Sequence, residues 1–241
     1  GGDAKQILSL LNEKLEQQNH KEWIEQIKAW KKEYPLRQEA IDPNGVTPQM
    51  LFDALNELTK SEAIIATEVG QHQMWAAQFY EFRHPRQFIT SGGLGTMGFG
   101  LGAAMGAQVA NPDKKVINIA GDGSFHMNCN ELSTLAKYQI PMMELVVDNS
   151  VLGMVRQWQK LFYDNRFSQT TQDKKTDFVK LAEAFGVKAF EIHTKDELIP
   201  VLKEALGLKE PVLVACHIHR DFNVLPMVPA GASAEEPILE M

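Results

Sequence analysis

An aspartate and an asparagine stand directly behind two apolar segments, in an arrangement that could bind a metal ion. Residues 115–120 have the composition of a buried β-strand and run into the sequence GDGS at 121–124. The next strand-like segment, residues 143–148, is followed at once by Asn149. The carboxyl ends of parallel strands meet at one edge of a sheet, where ligands bind. We therefore expect Asp122 and Asn149 to lie close together.

A phosphate-containing ligand would suit this edge, provided that a cation accompanies it. Glycines let the backbone approach a ligand, and a helix N-terminus behind them offers free amide groups and partial positive charge. The Asp122 carboxylate, in contrast, would repel a phosphate. Mg²⁺ prefers oxygen ligands in octahedral geometry and commonly bridges protein oxygens to phosphates. We predict a Mg²⁺ site formed by the Asp122 carboxylate, the Asn149 side-chain oxygen and the Val151 backbone carbonyl.

The elements that must position these residues alternate regularly along the chain. Short β-rich segments lie at 63–67, 115–120, 143–148, 188–192 and 211–218. Helical stretches lie between and around them, at about 71–79, 97–109, 126–138, 153–162, 177–185 and 195–206. Such alternation is typical of βαβ units. The predicted fold class is α/β, with a doubly wound parallel sheet covered by helices on both faces.

Two amphipathic helices are predicted ahead of this sheet. Apolar residues recur at helical spacing within 4–18 and again within 21–33, with charged residues between them. The segment 35–46 has no periodicity and contains proline and glycine, so we interpret it as a linker. Thr47, followed by a proline, is the predicted N-cap of the next helix. The predicted domains are a helical segment at 1–34, the linker at 35–46, the main domain at 47–220 and a C-terminal arm at 221–241.

Composition narrows the possible classes of function. The chain has 241 residues, of which 44% are hydrophobic and 23% charged, and this balance is typical of globular proteins and excludes disorder. A net charge of −7 without a basic cluster argues against nucleic acid as a partner. No apolar run has the length of a membrane span and no signal peptide opens the chain, so we expect a cytoplasmic protein. The first residue is not methionine, and we interpret the chain as a fragment of a longer one.

The remaining cysteines and histidines offer little chemistry by spacing alone. Cys129 and Cys216 form no metal-binding motif, and we expect both to be buried apolar residues. His217 and His219 share one face of a predicted strand, but the sequence around them provides no third ligand. We therefore predict structural roles for both histidines.

A second glycine-rich motif allows a different interpretation. Residues Gly93–Gly98 satisfy the G-x-G-x-x-G spacing of a dinucleotide-binding turn, which makes a non-catalytic NAD-binding module an alternative. A dinucleotide domain has no use for a metal site at Asp122 and Asn149. The NAD interpretation predicts binding that is independent of Mg²⁺ and unaffected by replacing Asn149.

Several segments together resemble the catalytic subunits of the acetohydroxyacid synthase (acetolactate synthase) family, which use thiamine diphosphate. The aspartate and asparagine above match the family's metal–diphosphate motif, GDG followed some 25 to 30 residues later by asparagine. The resemblance covers about residues 46–231 and corresponds to the C-terminal third of the family's chain. The helices at 1–34 resemble the end of the middle domain that precedes it. The flanking matches are EVGQHQMWAAQ (68–78), SGGLGTMGFGLGAAMGA (91–107), LGMVRQWQ (152–159) and NVLPMVPAG (223–231). One departure is Asp148, where the family often has a second asparagine.

The resemblance implies a role for each matching residue. Asp122, Asn149 and the Val151 carbonyl would bind Mg²⁺, as the spacing also predicts. The turn Gly93–Gly98 would lie against the cofactor's rings, with Met97 as the apolar wedge beneath them. The residues implied in cofactor binding are Gly70, Gln71, His72, Gly95, Met97, Gly121, Gly123 and Ser124. The residues implied in the substrate pocket are Met154, Val155 and Trp158.

The resemblance also implies an activity. Family members decarboxylate pyruvate and join the product to a second 2-ketoacid, pyruvate or 2-ketobutyrate, in branched-chain amino acid biosynthesis. They form homo-oligomers, bind FAD in a middle domain, and often have a regulatory small subunit. The glutamate that activates the cofactor belongs to an N-terminal domain, and Glu68 does not match it, so we expect this chain alone to be inactive. Another thiamine diphosphate enzyme, such as a catabolic acetolactate synthase or a pyruvate oxidase, is the alternative within the same superfamily.

Overall fold

The computed structural model describes residues 1–172 and 176–240, and the chain divides into two compact units. Unit 1 is Gly1–Arg37 and unit 2 is Gln38–Met241. The border falls within the segment interpreted as a linker. The finer domain bounds, including the arm at 221–241, stay a prediction.

Unit 1 consists of two helices, α1 (Ala4–Lys14) and α2 (Lys21–Glu33). The Asp3 side chain accepts a hydrogen bond from the Gln6 backbone N–H at 2.9 Å and so caps α1. Neither helix contains a buried residue. The first helix is shorter than the predicted 4–18, because Leu15 already has extended backbone angles.

Unit 2 is built on a six-stranded parallel sheet with the order β2-β1-β3-β4-β6-β5. Its strands are β1 (Ile64–Thr67), β2 (Phe88–Thr90), β3 (Val116–Gly121), β4 (Met143–Asp148), β5 (Lys188–Ile192) and β6 (Val212–His217). The five predicted strands are confirmed, and β2 was missed. With three residues, none of them fully buried, β2 leaves too short an apolar pattern to detect.

Eight helices are described in unit 2. They are α3 (Pro48–Thr59), α4 (Gln71–Phe79), α5 (Gly100–Ala110), α6 (Asp122–Phe125), α7 (Leu132–Tyr138), α8 (Gly153–Phe162), α9 (Phe178–Ala184) and α10 (Lys195–Gly207). The predicted cap of α3 is confirmed, since the Thr47 hydroxyl accepts a hydrogen bond from the Met50 backbone N–H at 3.0 Å.

Two predicted helices have different limits in the structure. The helix expected at 97–109 begins only at Gly100, because Gly98 has a φ of +94°, outside the helical region. The helix expected at 126–138 is α-helical only from Leu132 onwards. A 3₁₀ turn at Cys129–Glu131 follows Asn128, whose φ of −144° breaks the α-helical path, and α7 begins after it.

Apolar side chains cover both faces of the sheet, as the doubly wound fold requires. Successive strand residues point to opposite faces. Ile65, Ile117 and Leu145 pack in one buried cluster with residues of α3, α4 and α10. Ala66 and Val146 belong to a second cluster with residues of α5, α7 and α9. The predicted α/β fold class is confirmed.

Two expectations about composition can be compared with this fold. Cys216 is fully buried in β6, as predicted, and its surroundings raise the pKa of the thiol to about 12, chiefly through burial. Cys129 was also predicted to be buried, but this residue lies in the 3₁₀ turn and is only half-buried. Among the described residues, no helix combines the length and apolar character needed to cross a membrane.

Candidate cofactor-binding site

A cavity of about 210 Å³ opens at the carboxyl edge of the sheet, beyond the ends of β1, β3 and β4. The chain reaches β2 on one side of β1 and then β3 on the other, so this edge includes a point where the strand order reverses. All predicted site residues except Trp158 line the cavity. They are Gly70, Gln71, His72, Gly95, Met97, Gly121, Asp122, Gly123, Ser124, Asn149, Val151, Met154 and Val155.

The two side chains predicted to bind metal follow neighbouring strands. Gly121 of β3 pairs with Val147 of β4, so Asp122 and Asn149 come from adjacent strand ends. Asp122 is 4% exposed and Asn149 is 8% exposed. Burial, and then the nearby Asp148 carboxylate, raise the pKa of Asp122 to about 7. A buried carboxyl beside a second one is stabilised by a proton or by a cation, and the donor set here is one that Mg²⁺ prefers.

The turn after β4 holds Asn149 in place. Its Oδ1 accepts a hydrogen bond from the Val151 backbone N–H at 3.2 Å, and its Nδ2 donates to Gln71 Oε1 at 3.4 Å. Val151 is buried and forms an antiparallel bridge with Thr171. The turn therefore brings both predicted ligands after β4 to the cavity wall.

His72 lies against the glycines of the cavity. A Cβ atom at Gly121 would lie 2.8 Å from His72 Nδ1, and one at Gly70 would lie 2.7 Å from Cε1, so a side chain at either position would displace the His72 ring. Burial lowers the pKa of His72 to about 3, and the ring is therefore neutral. Its Nε2 atom is buried without a hydrogen-bond partner among the described residues. A polar group in this state fits a ligand that accepts or donates a hydrogen bond at the cavity wall.

Ser124 stabilises the turn that carries Asp122. Its hydroxyl donates to the Gly121 backbone carbonyl at 3.1 Å and accepts from the Gly121 backbone N–H at 3.0 Å. Gly123 is also sterically constrained, because a Cβ atom there would clash with Leu152. The three residues thus keep the backbone close to the cavity.

Glu68 anchors the glycine-rich turn, a role that sequence analysis missed. Its carboxylate accepts backbone N–H hydrogen bonds from Gly98 at 2.6 Å, Gly100 at 2.8 Å and Leu101 at 3.2 Å. Burial raises the pKa of Glu68, and these hydrogen bonds oppose the shift. The interaction satisfies free amides at the start of α5. In the sequence, the family match at residues 68–78 was the one indication that Glu68 has a role. Its hydrogen-bond partners could not be predicted, because they lie some 30 residues away.

Gln157 of α8 is a second missed residue. Its Oε1 accepts hydrogen bonds from Gln71 Nε2 at 2.8 Å and from the Val224 backbone N–H at 2.9 Å, and its Nε2 donates to the Val224 carbonyl at 2.9 Å. Gln71 Nε2 also donates to the Phe222 carbonyl at 3.0 Å. This buried amide network ties the cavity to the segment after β6. Its sequence signal was the match at residues 152–159, which includes Gln157 but does not indicate its hydrogen-bond partners.

Trp158 is the predicted site residue that the structure does not bring to the cavity. It lies one helical turn after Met154, is 47% exposed, and packs edge-on against Phe162 with 5.8 Å between ring centroids. Val155 lines the cavity and is also half-exposed, at 51%. The predicted substrate contacts of α8 stay a prediction, and Trp158 would have to act from the helix surface.

Comparison with known proteins assigns the chain to a family. A family model described as "Thiamine pyrophosphate enzyme, C-terminal TPP binding domain" matches residues 68–216. The chain belongs to this family. The match begins at Glu68 and ends in β6, so this thiamine pyrophosphate domain includes every described residue that lines the cavity. Its cofactor is the thiamine diphosphate named above, and the glycines at 93–98 therefore belong to a thiamine pyrophosphate domain rather than a dinucleotide-binding one.

Curated relatives support the narrower resemblance. The domain is 45% identical over 240 residues to the acetolactate synthase catalytic subunit of Saccharomyces cerevisiae, covering 98% of this chain and 35% of that protein. It is 41% identical to the acetolactate synthase isozyme 2 large subunit of Escherichia coli, covering 98% and 42%. For the large subunit of Parasynechococcus marenigrum the identity is 47%, covering 88% and 34%. The chain thus spans between a third and somewhat over two fifths of these relatives' length, and the resemblance found in the sequence is confirmed.

Proposed function

We propose that this chain is the cofactor-binding part of an acetolactate synthase catalytic subunit. The whole protein decarboxylates pyruvate and joins the product to a second 2-ketoacid, giving acetolactate or acetohydroxybutyrate. The observation that carries the proposal is the convergence of Asp122, Asn149 and the glycine turn on one cavity of a thiamine pyrophosphate domain. Identities of 41–47% to acetolactate synthases support the choice within the superfamily.

Each part of the cavity has a role in this proposal. Asp122, Asn149 and the Val151 carbonyl would hold Mg²⁺, and the ion would offset the negative charge of the diphosphate beside Asp122. Neutral His72 offers its unpartnered Nε2 to the same group. The absence of side chains at Gly121 and Gly123 would let the diphosphate approach the backbone amides there.

The apolar part of the cavity positions the reactive end of the cofactor. Thiamine diphosphate, when bound, supplies the carbon nucleophile and the electron sink for decarboxylation, and the protein contributes position and electrostatics. Met97, which lines the cavity, would support the cofactor rings, and Met154 and Val155 would contact the 2-ketoacids. On the strength of the resemblance, we also propose that the longer protein binds FAD, forms a homo-oligomer and associates with a regulatory subunit.

Thermal unfolding with and without ligands tests the cofactor assignment. We expect thiamine diphosphate to raise the melting temperature only when Mg²⁺ is present, because the diphosphate and Asp122 repel each other without it. A ligand at a hundredfold excess over its dissociation constant stabilises the folded state by about 2.7 kcal/mol. The Asp122→Asn variant keeps the shape of the side chain and should lose the Mg²⁺-dependent rise.

The matched control is Asp113→Asn, since Asp113 is an exposed aspartate outside the cavity. This variant should respond to thiamine diphosphate as the unmodified chain does. NAD serves as the competing ligand. A rise with NAD that needs no Mg²⁺ and survives Asn149→Ala would contradict the proposal.

A further inference from the structure

A cluster of metal-binding side chains lies at the carboxyl edge of the sheet, on its outer strands. Glu191, His193 and His217 each place one ligand atom within 4.8 Å of the other two. None of them lines the cofactor cavity. The three residues were not connected by sequence spacing, because β5 and β6 bring them together only in the folded sheet.

Strand register explains the grouping. Ile192 of β5 pairs with Cys216 of β6, so His193 and His217 follow as neighbours at the strand ends. Glu191 lies two residues before His193 and therefore on the same side of β5. On the other flank of β6, Asp148 of β4 pairs with His217. The side chains of Glu191, His193, His217 and Asp148 are thus neighbours at the ends of three adjacent strands.

The distances suit a compact cation site. Glu191 Oε1 is 3.4 Å from His217 Nε2, and Glu191 Oε2 is 3.4 Å from His193 Nε2. Ligand atoms bound at about 2.0–2.1 Å around a tetrahedral zinc ion lie about 3.3 Å apart. The imidazole rings are stacked, at an interplanar angle of 3° with 4.4 Å between centroids, and the Nε2 atoms of both lie near the Glu191 carboxylate.

A buried carboxylate orients the central histidine. Asp148 is 6% exposed, and its Oδ2 lies 3.0 Å from His217 Nδ1. Asp148 Oδ1 also accepts a hydrogen bond from the Ser150 backbone N–H at 2.8 Å. A histidine that donates one ring N–H to a carboxylate presents the other nitrogen to a metal, and this arrangement is the usual second layer of histidine–metal sites.

We propose that Glu191, His193 and His217 form a binding site for a divalent transition metal of the zinc type. Two imidazoles and one carboxylate suit zinc, copper or nickel better than Mg²⁺, which prefers oxygen ligands. Three protein ligands leave a fourth position open to water or to a further ligand. The site is distinct from the Asp122–Asn149 pair, and Asp148 lies between the two.

Isothermal titration of the 241-residue chain with Zn²⁺, without thiamine diphosphate or Mg²⁺, tests the proposal. We expect one zinc ion per chain, and binding weakened by more than about tenfold in His193→Ala and in His217→Ala. His193 is mostly exposed, at 56% of its side chain, so its replacement should leave the fold intact, which circular dichroism would verify.

His219→Ala is the matched control. His219 belongs to the same H-x-H segment, but its ring accepts a hydrogen bond from the Asp221 backbone N–H and lies outside the cluster. Its replacement should leave zinc affinity unchanged. Tetrahedral absorption bands on Co²⁺ substitution, lost in His193→Ala, would support the ligand set. A zinc affinity no tighter than that of His193→Ala, or one lowered equally by His219→Ala, would overturn the proposal.

Discussion

At the scale of single residues, the pair Asn118–Glu144 is the least expected feature of the sheet. Both side chains are fully buried, and Asn118 Nδ2 donates to both Glu144 oxygens at 2.9 Å. Burial raises the pKa of Glu144 well above its usual value, and the charge of Glu68 adds to the shift. Asn118 Oδ1 has no hydrogen-bond partner in the described part of the chain. A carboxyl group is therefore held in the core at a free-energy cost that grows as it ionises.

We predict that Glu144→Gln stabilises the protein, and more so at higher pH. The folded-state pKa of Glu144 lies above the unfolded value, so the wild type loses stability as pH rises from the unfolded pKa through the folded one. Glutamine does not titrate, and its amide can donate to Asn118 Oδ1 while its oxygen still accepts from Nδ2. Urea unfolding at about pH 5 and about pH 8 would measure the difference.

Glu210→Gln provides the control, because Glu210 is exposed and should show no such pH dependence. An equal pH slope for wild type and Glu144→Gln would contradict the prediction. The pair also marks a limit of sequence analysis. Position 144 was assigned correctly to a strand, but nothing in an isolated sequence indicates that its partner is an asparagine 26 residues earlier on the neighbouring strand.

At the scale of elements, the start of α5 is fixed by a close approach of the backbone. A Cβ atom at Gly100 would lie 2.7 Å from the Glu68 nitrogen and 2.8 Å from the Thr67 carbonyl carbon. Two residues later, Gly102 is exposed and has open space where a Cβ would be. The same residue type therefore has opposite consequences within one helical turn.

We predict that Gly100→Ala destabilises the protein by about 1–3 kcal/mol, since strand and helix backbones must move apart. Gly102→Ala should instead stabilise it by about 0.5–1 kcal/mol, because alanine favours the helix and nothing obstructs it. Urea unfolding of both variants beside the wild type would measure these changes. Similar effects of the two substitutions would show that the approach at Gly100 is not tight.

The sequence predicted elements better than it predicted their ends. Periodicity located five of the strands, and the β-strand ends carrying Asp122 and Asn149 followed from them. The start of α5 could not be predicted, because it depends on a positive φ at Gly98 and on the distant Glu68 carboxylate. Likewise, Gln157 became a site-supporting residue only through contacts with chain segments some 70 to 90 residues away.

At the scale of the whole molecule, the buried apolar residues all belong to unit 2. They extend from Val46 to Val224 in the described part of the chain, whereas α1 and α2 contain no buried residue. Large apolar residues of these two helices are exposed, among them Leu8 at 60% and Trp23 at 57%. The hydrophobic stabilisation of the fold is therefore concentrated after residue 45.

We predict that a chain beginning at Gln38 folds and binds thiamine diphosphate with Mg²⁺ as the 241-residue chain does. Every core residue and every cavity residue is retained in it. Circular dichroism melting would compare the two chains, and the Mg²⁺-dependent rise in melting temperature would report the site. A loss of cooperative unfolding in the shorter chain would show that the first 37 residues contribute to the fold.

The glycine-rich turn is anchored through its backbone, whereas its side chains are free of that anchoring role. The Glu68 carboxylate accepts hydrogen bonds from the backbone amides of Gly98, Gly100 and Leu101, and these bonds do not depend on which side chains the loop carries. Leu94, at the tip of the loop, is 91% exposed. Substitutions at positions 94 and 96 can therefore alter the exposed surface of the loop without loosening its attachment. Because the anchor is backbone-based, the side chains of this loop can change during evolution while the fold is preserved.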